Sequence, residues 1–287
     1  MALTADYILG HAALERSVRQ LAQSLLQIHD ASPRLASLFG TRQRWLIAHA
    51  AVAQYFRNVA ADGPDSGLLT AHLLDLVSRH KVASPNTAAS FLNEMLKYGV
   101  VQHVPASEGR RHRPFEPSQV TLAALFQWHL LHLTTLDGFD GGGRSAALRA
   151  EPEALRRLQP LIADGLLGSN MVRNPDPTFA LLAWVDEGGI VMDRLIVGCE
   201  QGAAGLDRVL TDVTSVTGLA QRLKLSRTQL GRKLAAAETM GSLGWVGTRG
   251  RSRLWVSQGF RREYHKAQAN KLAVIDAACE ACFMPRS

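Results

Sequence analysis

The sequence predicts a mainly α chain with small β-hairpins, arranged as two similar units joined through long helices. Three observations lead there. Apolar residues recur at helical spacing over most of the 287 residues. A serine-capped helix, a glycine and an apolar–basic–apolar run follow one another twice. The two occurrences also stand in register, 142 residues apart before the basic turn and 139 after it.

Composition sets the bounds. An apolar fraction of 46% supports a packed core, and abundant Leu and Ala favour helix. The formal net charge of +7 favours polyanionic partners, nucleic acid first. Three cysteines, odd and sparse, argue against a disulfide framework and for a reducing compartment. The first residues lack the basic start, apolar core and cleavage site of a secretion signal. No apolar run approaches the ~18 residues of a membrane span. A cytoplasmic location with no membrane partner is the expectation.

The elements follow in order. A helix is expected over residues 4–29, with Ile8, Val18, Leu21, Leu25 and Ile28 on its apolar face; Asp30, Ser32 and Pro33 end it. A second helix runs over 41–59, with Trp45, Ala48, Val52 and Phe56 on one face, and 61–67 is a loop. Helices over 68–80 and from Ser84 to near Gly99 come next, then a strand (VVQHV), the basic turn ASEGRRHRP and a second short strand. The helix over 119–136 is apolar nearly all round and must be covered on several sides, by 260–283 and the N-terminal helix. Burial of its Leu125, Phe126, Leu130 and Leu133 contributes about 1.5–3 kcal/mol each. The glycine-rich DGFDGGGRS then marks a break.

This divides the chain into a first unit over 1–140 with an N-terminal interface helix, a linker over 141–152, and a second unit over 153–287 with a C-terminal interface helix. The second half restarts with a helix near Glu153 and the loop RNPDP. Two apolar segments then flank Gly188 and Gly189, and a helix is expected over 206–213. A short helix (GLAQRLKL), a capped helix from Ser226, a hairpin and a final helix over 260–283 complete it.

The repeated stretch has a physical logic. Ser84 and Ser226 can each accept the N–H bonds that a helix's first turn leaves orphaned, with Pro85 tolerated at the first helical position. Ala88, Leu92 and Met95, and likewise Leu230, Leu234 and Ala237, share an inward face. The outward faces are polar. Gly99 and Gly241 can end the helices in the left-handed conformation. Helix, turn, capped helix and two-stranded hairpin is the order of a winged helix-turn-helix.

In such a unit the capped helix enters the major groove. The candidate reading residues are Ser84, Asn86, Thr87, Ser90, Asn93 and Lys97 in the first copy, and Ser226, Arg227, Thr228, Gln229, Arg232 and Lys233 in the second. Asn and Gln suit adenine and Arg suits guanine. The candidate wing contacts are Arg110, Arg111 and Arg113, and Arg249, Arg251 and Arg253. Guanidinium groups crowded on an exposed tip repel one another unless phosphate or a narrow minor groove meets them.

LAQRLKLSRTQLGRKL, the wing GWVGTRGRSRLWVS and the flanking helices resemble the MarR-like winged-helix transcription regulators of bacteria, best over 216–283 and more loosely over 34–137. That family forms homodimers through its terminal helices. The resemblance therefore implies a covalent pseudo-dimer, itself monomeric or paired again as a homodimer. It further implies a possible small-molecule effector, with Trp45, His49, Trp128 and Trp184 as a possible ligand pocket; read as core, the same residues need no ligand, and that is the preferred reading. The first copy lacks the family's acidic wing-tip residue, its turn (SRHKVASPNT) is less regular, and the two reading helices differ.

Cys279 and Cys282 form a CxxC, but no further ligand pair stands at zinc spacing. His129 and His132, one turn apart, read best as core. With no GxSxG, HExxH or phosphate-binding glycine loop, the expectation is no enzyme, no metal and no cofactor. A sequence-specific DNA-binding regulator is the reading, with a plasmid-type replication initiator and a winged-helix protein-interaction scaffold as alternatives.

Overall fold

The computed structural model describes residues 1–61, 67–104, 113–183, 188–202 and 205–283. The chain is mainly helical, with two small antiparallel sheets among the described residues. The N-terminal helix is divided into α1 (Ala5–Gly10) and α2 (Leu14–Ala31), and α3 (Pro33–Leu38) starts on a proline. Then come α4 (Arg42–Ala60), α5 (Thr70–Arg79) and α6 (Pro85–Lys97). The strands β1 (Val101–His103) and β2 (Phe115–Pro117) lead into α7 (Gln119–Asp140). Next are α8 (Arg144–Ala150), α9 (Leu155–Gly168), α10 (Asn170–Arg173), α11 (Pro177–Ala183) and α12 (Gly188–Gly198). The chain continues through β3 (Arg208–Leu210), α13 (Val216–Leu223), α14 (Arg227–Thr239), β4 (Leu243–Trp245), β5 (Leu254–Ser257) and α15 (Gln258–Phe283).

These elements form two compact units, and the units are not consecutive halves. One, here the α6 unit, is built from residues 1–4, 43–173 and the chain from Lys271 on. The other, the α14 unit, is built from residues 5–42 and 174–270. The N-terminal helices thus belong with the second half of the sequence, where the sequence boundaries put them with the first. The cause is the packing of α2 on α12. Val18, Leu21 and Ala22 are buried on α2, as are Val191, Met192, Leu195 and Ile196 on α12. The Arg19 guanidinium fixes the pairing by donating to the carbonyls of Val197 and Cys199, both at 3.0 Å. Those carbonyls close the C-terminal end of α12, where a cation is also favoured by the helix dipole.

A second difference lies at 206–213, where a helix is expected. Residues 208–210 form β3, which pairs antiparallel with β5, Val209 opposite Val256. Val209, Thr211 and Val213 are buried while Arg208 and Asp212 are exposed. That alternation is the two-residue period of a strand. The sheet order is β3-β5-β4. In the α6 unit Leu68 takes the corresponding edge as a single bridge to Phe115.

The stretch expected to be a linker is largely ordered by charge. α7 continues to Asp140, Gly141 ends it at φ +70°, and α8 begins at Arg144. The Asp137 carboxylate accepts from the N–H groups of Arg144 and Ser145, at 2.9 and 3.0 Å, and so caps α8. The Arg144 guanidinium donates to both Asp140 oxygens, at 2.7 and 2.8 Å, and to Asp276 on α15. Asp276 is buried and also accepts from the N–H of Leu3 at 2.6 Å. Arg144 draws the Asp140 carboxyl below its usual range.

On α7, Leu130 and Leu133 are buried, as expected, but Leu125 and Phe126 are only half-buried and Val120 is 68% exposed. Its second half carries the core, through Leu133, Leu136 and Phe139.

Candidate nucleic-acid interface

In the α14 unit, Ser215 caps α13 by accepting from the Gly218 N–H at 2.9 Å. Ser226 caps α14 by accepting from the Gln229 N–H at 3.4 Å. Leu219, Ala220 and Leu223 on α13 and Leu230, Leu234 and Ala237 on α14 are buried, and the two helices pack together. Burying those faces fixes the roll of α14. Arg227, Thr228, Gln229 and Arg232 are therefore exposed and Lys233 is half-buried.

The exposed side is rich in cations up to Glu238 in the last turn of α14. No Asp or Glu stands between Asp212 and Glu238 in the sequence. Arg222, Lys224, Arg227 and Arg232 are exposed and have no polar partner among the described residues. Arg222 and Lys224 were absent from the sequence-based candidates. The run of residues without acids around the capped helix was the signal for them. Lys224, Ser226, Gln229 and Lys233 line a shallow depression at the start of α14. There the first-turn N–H groups and the helix dipole favour an anion.

The hairpin follows from two glycines and one tryptophan. Gly241 leaves α14 at φ +70°. Gly244 lies opposite Trp255, and a Cβ there would come within 2.5 Å of the indole. Arg208 on β3 stacks over the Trp255 ring at 4.3 Å. The three tip arginines differ from one another, contrary to the expectation of three uncompensated cations. Arg249 pairs with Glu238 at 2.6 Å. Arg253 is half-buried, pairs with Glu200 at 2.7 Å and donates to the carbonyl of Thr211. Arg251 is exposed and has no polar partner among the described residues. Acids distant in sequence relieve the repulsion that the tip alone would suffer.

The α6 unit has the same order of elements. Ser84 accepts from the Thr87 N–H at 3.2 Å. Ala88, Phe91, Leu92 and Met95 face inward, while Asn86, Thr87, Ser90, Asn93 and Lys97 are exposed. The acid of this helix, Glu94, is held by Arg44 of α4. Gly99 ends the helix region at φ +66°. The hairpin pairs Val101 with Pro117 and His103 with Phe115. Its counterpart pairs Leu243 with Val256 and Trp245 with Leu254, the same register at offsets of 142 and 139. Two backbone hydrogen bonds repeat at these offsets as well. Val100 donates to Met95 as Ser242 does to Ala237, and Ser118 donates to Val100 as Ser257 does to Ser242. Of the candidate arginines in the turn of this hairpin, Arg113 is exposed; Arg110 and Arg111 lie outside the described residues.

Three of the four ligand-pocket candidates come together in the α6 unit; Trp184 lies outside the described residues. The His49 ring centroid is 4.8 Å from that of Trp45 and 4.9 Å from that of Trp128. His132 lies 3.9 Å from Trp128. Gln159 donates to Nδ1 of His49 at 3.1 Å. His129 and His132 are fully buried and bond through Nδ1 to the carbonyls of Leu125 and Trp128, at 2.7 and 2.8 Å. Burial pushes His49 down to about 3 and His129 to about 4, and holds His132 well below its usual value. Positive charge on Lys271 adds to the effect at His49 and His132. The arrangement is a neutral, aromatic-lined core.

Cys279 is buried and its thiol is pushed up to about 12, while Cys282 is half-buried and also raised. Neither has the exposed, thiolate-favouring setting of a reactive cysteine. Among the described residues no group of three or more His, Cys, Asp or Glu is placed to hold a metal ion, and no helix is long and apolar enough to cross a membrane. Compared with known proteins, the chain matches no family model, no curated protein and no solved structure.

Proposed function

We propose that this chain binds double-stranded DNA through two winged helix-turn-helix units and acts as a sequence-specific transcriptional regulator. The observation that carries the reading is the exposed face of α13 and α14. Four cations without a side-chain partner among the described residues, and a capped helix N-terminus, stand in a stretch of chain, 213–237, that holds no acid. Such a face repels itself in isolation and gains on meeting closely spaced phosphates. In this reading α14 enters the major groove with Arg227, Gln229 and Arg232 toward base edges, and Arg251 grips the backbone or the minor groove. Asn86, Ser90 and Asn93 on α6 offer the first unit's base contacts.

The shared hairpin register and backbone hydrogen bonds support descent of the two units from one duplicated unit. That is the single-chain counterpart of the MarR-like dimer suggested by sequence. Because α6 is largely uncharged and α14 is cationic, the target would be bipartite and imperfectly two-fold.

Selection of bound sequences from random duplexes by the purified chain tests this. Enrichment of a two-part motif with half-site centres about 10 bp apart is expected. Absence of any enrichment would replace the regulator with a protein-docking scaffold or a nonspecific architectural role. Arg251→Ala should weaken binding to all duplexes alike and lower the salt slope by about 1. An unchanged slope removes this wing from the interface.

A further inference from the structure

We propose that Lys81 and Lys224 are phosphate anchors, one in each unit, retained in an unfavourable backbone conformation because a cation is needed there. The inference rests on the DNA-binding reading above and adds two contacts to it. These lysines are the only non-glycine residues with positive φ among the described residues, at 53° and 56°. They occupy the corresponding helix end in the two units, just after the helix that precedes the capped helix, one residue out of the 142-residue register. In each unit the lysine N–H donates three residues back, Lys81 to Ser78 and Lys224 to Gln221. The next N–H donates five residues back, Val82 to Val77 and Leu225 to Ala220. This is the closure of a helix end that normally takes glycine, because a Cβ is crowded in the left-handed region.

The chain uses glycine where only the backbone matters. Gly99, Gly141 and Gly241 supply the left-handed turn after α6, α7 and α14. At Lys81 and Lys224 it accepts the steric cost and keeps a long cation. Both side chains are exposed and have no polar partner among the described residues. Both stand two or three residues before the capping serine, Ser84 or Ser226. Lys224 lines the same depression as Ser226 and Gln229, at a helix start that already favours an anion, and Lys81 precedes the corresponding start in the first unit. A duplex phosphate flanking the groove entered by the capped helix fits this chemistry. A lone ammonium there carries no base information, so the contact sets affinity rather than sequence choice.

Lys81→Gly and Lys224→Gly in the full chain test the proposal, because glycine keeps the turn and removes only the cation. Each variant is titrated against a random-sequence duplex of about 30 bp over a range of salt, beside thermal melting. The expected result is an unchanged or raised Tm, roughly eightfold weaker binding at ~0.1 M salt, and a salt slope lower by about 1. Lys224→Ala keeps the strained turn and should lose the same affinity without any gain in Tm. A glycine variant that binds with the wild-type slope, where the wild-type slope is steep, overturns the anchor role and leaves the DNA reading standing. Failure of the wild-type chain to bind any duplex at ~50 mM salt overturns the DNA reading itself, and the anchors with it.

Discussion

Acidification should unfold the α6 unit through its three buried histidines. His49, His129 and His132 have folded-state values of about 3, about 4 and well below 6.5, against about 6.5 in the unfolded chain. The folded state therefore holds fewer protons than the unfolded one between these limits. Stability is fully present above about pH 6.5 and is lost as pH falls toward the folded values. His49 and His129 each withdraw about 2 kcal/mol by pH 5 relative to pH 8, about 4 kcal/mol together, a large part of the stability of an ordinary domain, and His132 acts in the same direction. Hydrogen bonds to Gln159 and to the carbonyls of Leu125 and Trp128 offset this only in part, and Lys271 adds positive charge at His49 and His132. Urea unfolding at several pH values, read for wild type and His129→Leu, isolates the effect from the surface carboxylates. The difference in stability between the two should shift by about 2 kcal/mol in favour of the variant from pH 8 to pH 5. Parallel profiles would refute the reasoning, because they would mean that His129 takes up its proton equally in both states.

Arg144→Met leaves Asp137, Asp140 and buried Asp276 facing one another without their cation, and should cost about 3–5 kcal/mol by urea unfolding. Asp276→Asn in the same chain should recover part of that loss, and no recovery would argue against charge as its origin. Glu238→Gln releases Arg249 from its ion pair, so duplex binding should tighten and the salt slope should steepen by up to about 1. An unchanged slope would exclude Arg249 from phosphate contact.

Local signals made the two capped helices legible in the sequence. Ser84 and Ser226, the apolar spacing after them and the glycines at 99 and 241 are decided within a few residues, by orphaned N–H groups and by the crowding of Cβ at positive φ. The exposed faces of α6 and α14 follow from that spacing alone, which is why the candidate reading residues emerge at the surface. Strand β3 was also written locally, in the alternation of Val209, Thr211 and Val213, but three paired residues are too short to outweigh a helical reading.

Only the tertiary structure decided the rest. That α2 packs on α12, and so joins the α14 unit, depends on a match between two apolar faces far apart in the chain and on Arg19 reaching the end of α12. That Glu238 and Glu200 neutralise two hairpin arginines, leaving Arg251 without a side-chain partner among the described residues, depends on where the fold brings those carboxylates. That a glycine-rich stretch is pinned by Arg144 rather than loose depends on Asp276, delivered by a helix more than a hundred residues later. Short-range geometry is encoded residue by residue. The pairing of charges and of apolar faces is a property of proximity, and the folded chain supplies it.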